Sequence, residues 1–294
     1  MTFFDRLRER IRTTGGVLAV GLNPDPARLP DDCREYDYPR RAFNRRIVDA
    51  TYERVAAYSV APAYYADPKG WTALAETVAY ARGRGVPVVL DAKYAEIPNP
   101  DADLLDSVDA VTVSPYLGRD ALAPVLDRDL GVFVTCRTPN AGATDLQDRE
   151  VTDDSETGDR MTNHNDEGEK TDDEDEKPTI AGRAAELGAS WAADAAADVG
   201  LLVGGDGDTV ETLRERAPNR PFFVVGGARN DPEVAAHAGP ASGENEGVGL
   251  VETSREVLYA GETAGRGRRR GQDDYAAAAR QSAGRLVGQL NRHR

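Results

Sequence analysis

The feature that most constrains this chain is a regular alternation of two hydrophobic periods. Strand-like β-branched stretches fall at 16–22, 57–63, 86–92, 110–116, 131–137, 199–205, 221–227 and 247–253. Between them lie segments of helical period at 42–56, 69–84, 119–127, 179–197, 208–217 and 231–238, and the chain closes on a helical pattern at 273–291. The connection after the third strand is short and carries Pro98 and Pro100, so no good helix is expected there. Eight strands separated by helices within about 250 residues predict an α/β chain folded as a single (β/α)8 TIM barrel over 1–294. A doubly wound open sheet is the alternative. The first strand, however, has no G-x-G-x-x-G turn opening a helix, which removes support for dinucleotide binding.

Charge narrows the class of protein. The chain has 51 Asp and Glu against 36 Lys and Arg, a net charge of −15. Only Lys69, Lys93, Lys170 and Lys177 are lysine. A nucleic-acid partner needs the opposite sign. An acidic, arginine-rich, lysine-poor composition suits the cytoplasm of a salt-loving organism, where salt screens self-repulsion. Residues 148–176 alone hold 14 acids and three bases, leaving −4 for the rest of the chain. That stretch has too few apolar residues to offset the entropy of ordering, so it is expected to be a disordered acidic insertion between the fifth and sixth strands. No apolar run is long enough to span a bilayer and the N-terminus lacks a secretory pattern, so no membrane association is expected. Two cysteines (Cys33, Cys136) and three scattered histidines (His164, His237, His293) give neither a disulfide framework nor a metal-ligand set, and no cofactor is implied.

Barrel enzymes place reacting groups where strands end. The third strand ends in Asp91-Ala92-Lys93, where a period of two puts carboxylate and ammonium on one side. A carboxylate beside a lysine keeps it protonated and aimed, which suits delivery of a proton to a developing carbanion. Glu96 adds a second candidate acid. Ser254 and Arg255, after the eighth strand, stand where barrels bind phosphate, beside Gly226-Gly227. A plain salt bridge at Asp91–Lys93 and a simple helix cap at Ser254 are the structural alternatives. Asn23-Pro24-Asp25 reads as a turn, Tyr64-Tyr65 as rim packing and Cys136 as core.

Taken in order, these residues resemble the orotidine 5′-phosphate decarboxylases, of the kind found in haloarchaea. The resemblance runs through Phe3-Phe4-Asp5-Arg6-Leu7, Val20-Gly21-Leu22-Asn23-Pro24, Gly70-Trp71, Asp91-Ala92-Lys93, Thr112-Val113-Ser114-Pro115-Tyr116, Arg137-Thr138-Pro139-Asn140, Asp145-Leu146-Gln147 and Ser254-Arg255. It implies a homodimeric barrel without metal or organic cofactor that converts orotidine monophosphate to uridine monophosphate and carbon dioxide. It assigns Lys93, Asp91 and Glu96 to catalysis and Asn23, Thr138, Asn140, Arg229, Ser254 and Arg255 to the nucleotide. The chain departs from the family pattern at identifiable positions. Ser59 stands at the family's second-strand lysine, Pro100 at the threonine of its D-x-K-x-x-D-I-x-x-T motif, and Asn23 at its ribose aspartate. Pro139 stands at the serine of its T-S-N motif and Arg229 at its phosphate-loop glutamine. Lys69 and Arg119 are candidate sources of a replacement cation. Three readings stay open at this level: a decarboxylase of weakened activity, a silent nucleotide-binding or partner-binding relative, and another phosphosugar lyase of the same barrel superfamily.

Overall fold

The computed structural model describes residues 1–95, 102–151, 177–226, 231–263 and 272–294. Eight parallel strands close in chain order into one barrel: β1 (Leu18–Gly21), β2 (Ala57–Val60), β3 (Val88–Tyr94), β4 (Ala110–Val113), β5 (Gly131–Thr135), β6 (Asp198–Gly204), β7 (Phe222–Val225) and β8 (Leu250–Thr253). β8 pairs back onto β1 through Ala19 and Glu252, which seals the sheet. Six lie within the expected stretches, while β3 runs on past its stretch through Lys93 and Tyr94 and β6 begins one residue early, at Asp198. Six are buried along most of their length, as a parallel sheet covered on both faces requires, whereas β3 beyond Leu90 and β8 beyond Val251 are only half-buried, where they open at the C-terminal end.

The outer ring is α2 (Pro39–Thr51), α3 (Pro68–Gly83), α4 (Ala102–Ser107), α5 (Arg119–Leu126), α6 (Ile180–Trp191), α7 (Gly207–Arg216), a 3₁₀ turn at Pro232–His237 and α8 (Gln272–Leu290), preceded by α1 (Phe3–Thr14). Two of these elements run against expectation. The β3–β4 connection carries a six-residue helix, α4, once the chain is past the proline-rich segment. The other is α1, which is absent from the expected helices although Phe3, Phe4, Leu7 and Ile11 lie on one helical face. A reciprocal capping box between Thr2 and Asp5 starts that helix, and Gly15 at φ 69° ends it. Its Phe3, Phe4, Leu7 and Ile11 close the barrel's N-terminal end. Phe3 sits edge-on to Phe133 with ring centres 5.9 Å apart, in space that exists because residue 131 is glycine.

Residues 152–176 of the acidic stretch lie outside the described residues, as do Glu96, Pro98, Pro100 and Arg229. The first residues of that stretch are held in place. Asp148 pairs with Arg137 at 2.7 Å, Val151 N–H donates to the Pro178 carbonyl at 2.9 Å, and Ile180 N–H donates to the Arg149 carbonyl at 2.8 Å. The two ends of the insertion therefore leave the barrel side by side, from its β5–α6 connection.

Candidate active site

The C-terminal ends of the strands surround a cavity of about 1050 Å³. Seven of the nine residues picked from the sequence line it: Asn23, Asp91, Lys93, Thr138, Asn140, Ser254 and Arg255. The other two, Glu96 and Arg229, lie outside the described residues.

Asp91 and Lys93 meet, although the simple pleat that predicted the meeting is broken between them. The β3–β4 register shifts between Leu90 and Tyr94, and Lys93 takes φ 50°, the only positive φ on a non-glycine among the described residues. A buried hydroxyl on the next strand holds this backbone. Thr112 Oγ1 accepts from the Lys93 N–H at 2.9 Å and donates to Asp91 Oδ1 at 2.9 Å. The same Oδ1 receives Lys93 Nζ at 2.6 Å. The ammonium thus remains open to the cavity while its direction is fixed by a carboxylate that is itself fixed by Thr112. Strained backbone held by neighbouring bonds is characteristic of functional sites.

The floor contains a residue that the sequence analysis missed. Glu252, on β8, reaches over the end of β1 to β2, where its Oε1 accepts from Ser59 Oγ at 2.7 Å. Gly21 makes that reach possible, since a Cβ there would lie 2.6 Å from Oε1. Burial, with Asp91 adding repulsion, pushes the Glu252 carboxyl up to about 7, against the smaller opposing effects of the Ser59 bond and Lys93. No motif marks position 252, and only the register of a closed barrel brings β8 and β2 together across one strand.

At the rim, the exposed Arg255 side chain makes no ion pair or hydrogen bond among the described residues, so its guanidinium is available to an anion. Arg28, also missed, lines the same cavity with its guanidinium carbon 3.5 Å from the Tyr259 ring centre, and it donates to Glu262 at 2.6 Å. Ser254 precedes the short helix Arg255–Leu258, but its hydroxyl does not cap it; it donates to the Gly21 carbonyl at 2.7 Å. Asn23 Oδ1 accepts from Ala61 N–H at 2.7 Å, which ties the β1 and β2 ends together. Thr138 is clamped by Gln147, whose Oε1 accepts from its N–H at 2.8 Å, while the Asn140 amide is exposed to the cavity. Neither Lys69 nor Arg119 lines the cavity, so neither replaces a cation beside Lys93.

The arrangement offers a positioned proton donor on the floor, polar groups at mid-height and guanidinium groups at the rim, which suits a small ligand with an anionic tail. Comparison with known proteins points the same way. The model of the orotidine 5'-phosphate decarboxylase / HUMPS family matches residues 36–227. A protein of Haloarcula marismortui named orotidine 5'-phosphate decarboxylase is 44% identical over 306 residues, covering 100% of each chain. One of Halobacterium salinarum with the same name is 44% identical over 301 residues, again over 100% of each. The solved structure of Leishmania donovani OMP decarboxylase superposes with a TM-score of 0.71 at 28% identity, covering 100% of this chain and 98% of that one.

Proposed function

Because the chain belongs to the orotidine 5′-phosphate decarboxylase / HUMPS family, we propose that its barrel removes the carboxylate from orotidine monophosphate to give uridine monophosphate and carbon dioxide, a lyase step of pyrimidine biosynthesis. The observation that carries this reading is the Asp91–Lys93–Thr112 constellation at the cavity floor. In the proposed reaction the bond from C6 to the carboxylate breaks, carbon dioxide leaves, and the electron pair stays on C6. The Lys93 ammonium neutralises that charge and passes a proton to C6, then regains one from water. Asp91 aims the ammonium and, as a fixed anion, disfavours the substrate carboxylate before it leaves. Arg255, with Arg28 beside it, receives the phosphate, whose binding energy positions the base over Lys93. Asn140 and the Thr138 segment face the pyrimidine, and Asn23 and Ser254 shape the ribose end. Glu96 and Arg229 complete the set on sequence grounds.

The finer assignments follow from the same resemblance. We infer a homodimer in the cytoplasm of a salt-adapted cell, with residues 148–176 an acidic insertion in an otherwise single barrel. The net charge of −15 and the haloarchaeal relatives support the salt adaptation. Among the described residues no helix is long and apolar enough to cross a membrane.

The test is the decay of ultraviolet absorbance of orotidine monophosphate with purified protein in molar potassium chloride, beside a Lys93→Ala control. Decay in the parent and a loss of about 10³-fold or more in the variant, some 4 kcal/mol of barrier, is the expected result. No decay in the parent, with uridine monophosphate still bound, would refute the decarboxylase and leave a nucleotide-binding barrel.

A further inference from the structure

Glu252 takes no part in the reaction just described, yet it occupies the cavity floor. Oε1 is fixed by Ser59, and no other hydrogen bond reaches the carboxyl among the described residues, which leaves Oε2 for a ligand. The groups around it are few. β2 presents Ser59, β3 presents Asp91 and Lys93, and β1 ends in Gly21 and the neutral Asn23. β7 contributes the apolar Val225, and Arg255 follows on from β8 itself. Lys93 is engaged by Asp91 at 2.6 Å and acts on Glu252 only as a nearby charge, so among the described residues no cation is hydrogen-bonded to Glu252. Among the described residues the lining carries Asp25, Asp91, Glu252 and Glu256 against Arg28, Lys93 and Arg255, so one proton on Glu252 is the difference between a net negative and a balanced set of these charges.

A nucleotide with a carboxylate on its base brings one more negative charge to this floor than the same nucleotide without it. An ionised Glu252 beside Asp91 repels that carboxylate, whereas a protonated Glu252 offers it a hydrogen-bond donor. We propose that Glu252 is the specificity-determining residue of this site, admitting the base carboxylate when protonated and rejecting it when ionised, so that it sets the preference for orotidine monophosphate over uridine monophosphate. The inference rests on the proposed function for its ligand. Gly21 and Ser59 are its positioning residues, one opening the path across β1 and the other fixing Oε1. Burial holds the carboxyl near neutrality, so the two forms exchange in the range where the protein would work.

The experiment compares the two nucleotides from pH 5.5 to 8.5 in molar potassium chloride. Recognition of orotidine monophosphate is read as kcat/KM where it is turned over and as a calorimetric Kd where it is not, and is divided by the affinity for uridine monophosphate. Both carry the same phosphate, so titration of that group cancels in the ratio. For a carboxyl titrating near 7 the ratio falls about 30-fold across this range in the parent protein. Glu252→Gln, which keeps the shape and stays neutral, holds the ratio flat at its acidic value. Ser59→Ala removes a bond that favours the anion and moves the midpoint to higher pH. A flat ratio in the parent, or a Glu252→Gln ratio that falls as steeply as the parent's, overturns the inference while leaving the decarboxylase intact. Failure of uridine monophosphate to bind at any pH overturns the proposed function and this inference with it.

Discussion

Removing one buried hydroxyl should separate the positioning of Lys93 from its chemistry. Thr112→Val is nearly isosteric and leaves Asp91 and Lys93 untouched, but it deletes both bonds of Oγ1. The Lys93 N–H loses its only acceptor among the described residues, which costs about 1–3 kcal/mol, and Asp91 loses a charge-assisted bond worth about 1.5–3 kcal/mol. With part of this recovered by relaxation, the net loss is about 2–5 kcal/mol. At about 2.1 cal/mol/K per residue over 294 residues, 1 kcal/mol corresponds to about 1.6 °C in Tm, so the variant should melt about 3–8 °C lower. Without Thr112, Lys93 is free to leave φ 50° for an unstrained conformation, and a displacement of the ammonium by about 1 Å lowers kcat about 10- to 100-fold. KM should stay within about threefold, because Thr112 does not line the cavity. Thr112→Ser keeps the hydroxyl and should restore kcat. The assays are thermal melting in molar potassium chloride and initial rates on orotidine monophosphate. A valine variant with kcat within about twofold and Tm within about 1 °C of the parent would show that the left-handed turn at Lys93 is held by something else.

Two further variants report on the rim and the floor. Arg255→Ala should weaken uridine monophosphate about 10- to 150-fold by calorimetry, the worth of a charge-assisted contact of about 1.5–3 kcal/mol, and should leave the weak binding of uridine, which lacks the phosphate, unchanged. Equal losses for nucleotide and nucleoside would take the phosphate away from Arg255. Glu252→Gln should reveal the buried acid through stability alone. A carboxyl whose folded value is raised from 4.5 to about 7 keeps its proton in the native state across that window, so its contribution to stability is intact below about 4.5 and declines as pH rises to about 7. Relative to the parent, the glutamine variant should therefore gain stability between pH 5 and pH 8, by at most about 3 kcal/mol, in paired denaturant titrations. A difference between the two proteins that does not vary with pH would mean that Glu252 titrates as an ordinary surface acid.

The barrel was legible because strand and helix periods alternate along the chain, save at the proline-rich connection after the third strand and the acidic insertion, and the site followed from knowing that barrels act at strand ends. Asp91, Lys93 and Arg255 were readable as chemistry carried by short local motifs, whereas Asn140 came only from the family resemblance. Other features were not local. The bond from Ser254 to the Gly21 carbonyl and the tether from Asn23 to Ala61 are made across strand ends, and sequence spacing does not encode which hydroxyl or amide is already spent. Nothing local marks Arg28, whose place is set by Tyr259, 231 positions later, beneath its guanidinium. The expected helices omit the N-terminal one although Phe3, Phe4, Leu7 and Ile11 recur at helical spacing, and its apolar face finds its partner at the end of the barrel, which needs a plug.

The deepest divergence between sequence and structure is at Ser59. Aligned position by position, the serine is a subtraction: where the family pattern has a lysine, a cation is missing and nothing in the neighbouring sequence restores it. In the folded barrel the same serine is one end of a pair whose other end lies 193 residues away, and that partner is an acid. An ammonium at position 59 would stand against Glu252 Oε1 and hold the carboxyl ionised, as opposite charges within about 4 Å do. A hydroxyl is a weaker donor with no charge of its own, so burial dominates and the carboxyl keeps its proton up to about 7. The floor therefore does not simply lose one positive charge. A permanent charge on β2 gives way to a titratable one on β8, and the balance around Asp91 and Lys93 passes from sequence to pH. Glycine at position 21 leaves room for that exchange, because a Cβ there would lie 2.6 Å from Oε1 and Glu252 would have to shift. Gly21, Ser59 and Glu252 thus act as one unit, and a substitution at any of them is to be judged by what it does to the proton on the third.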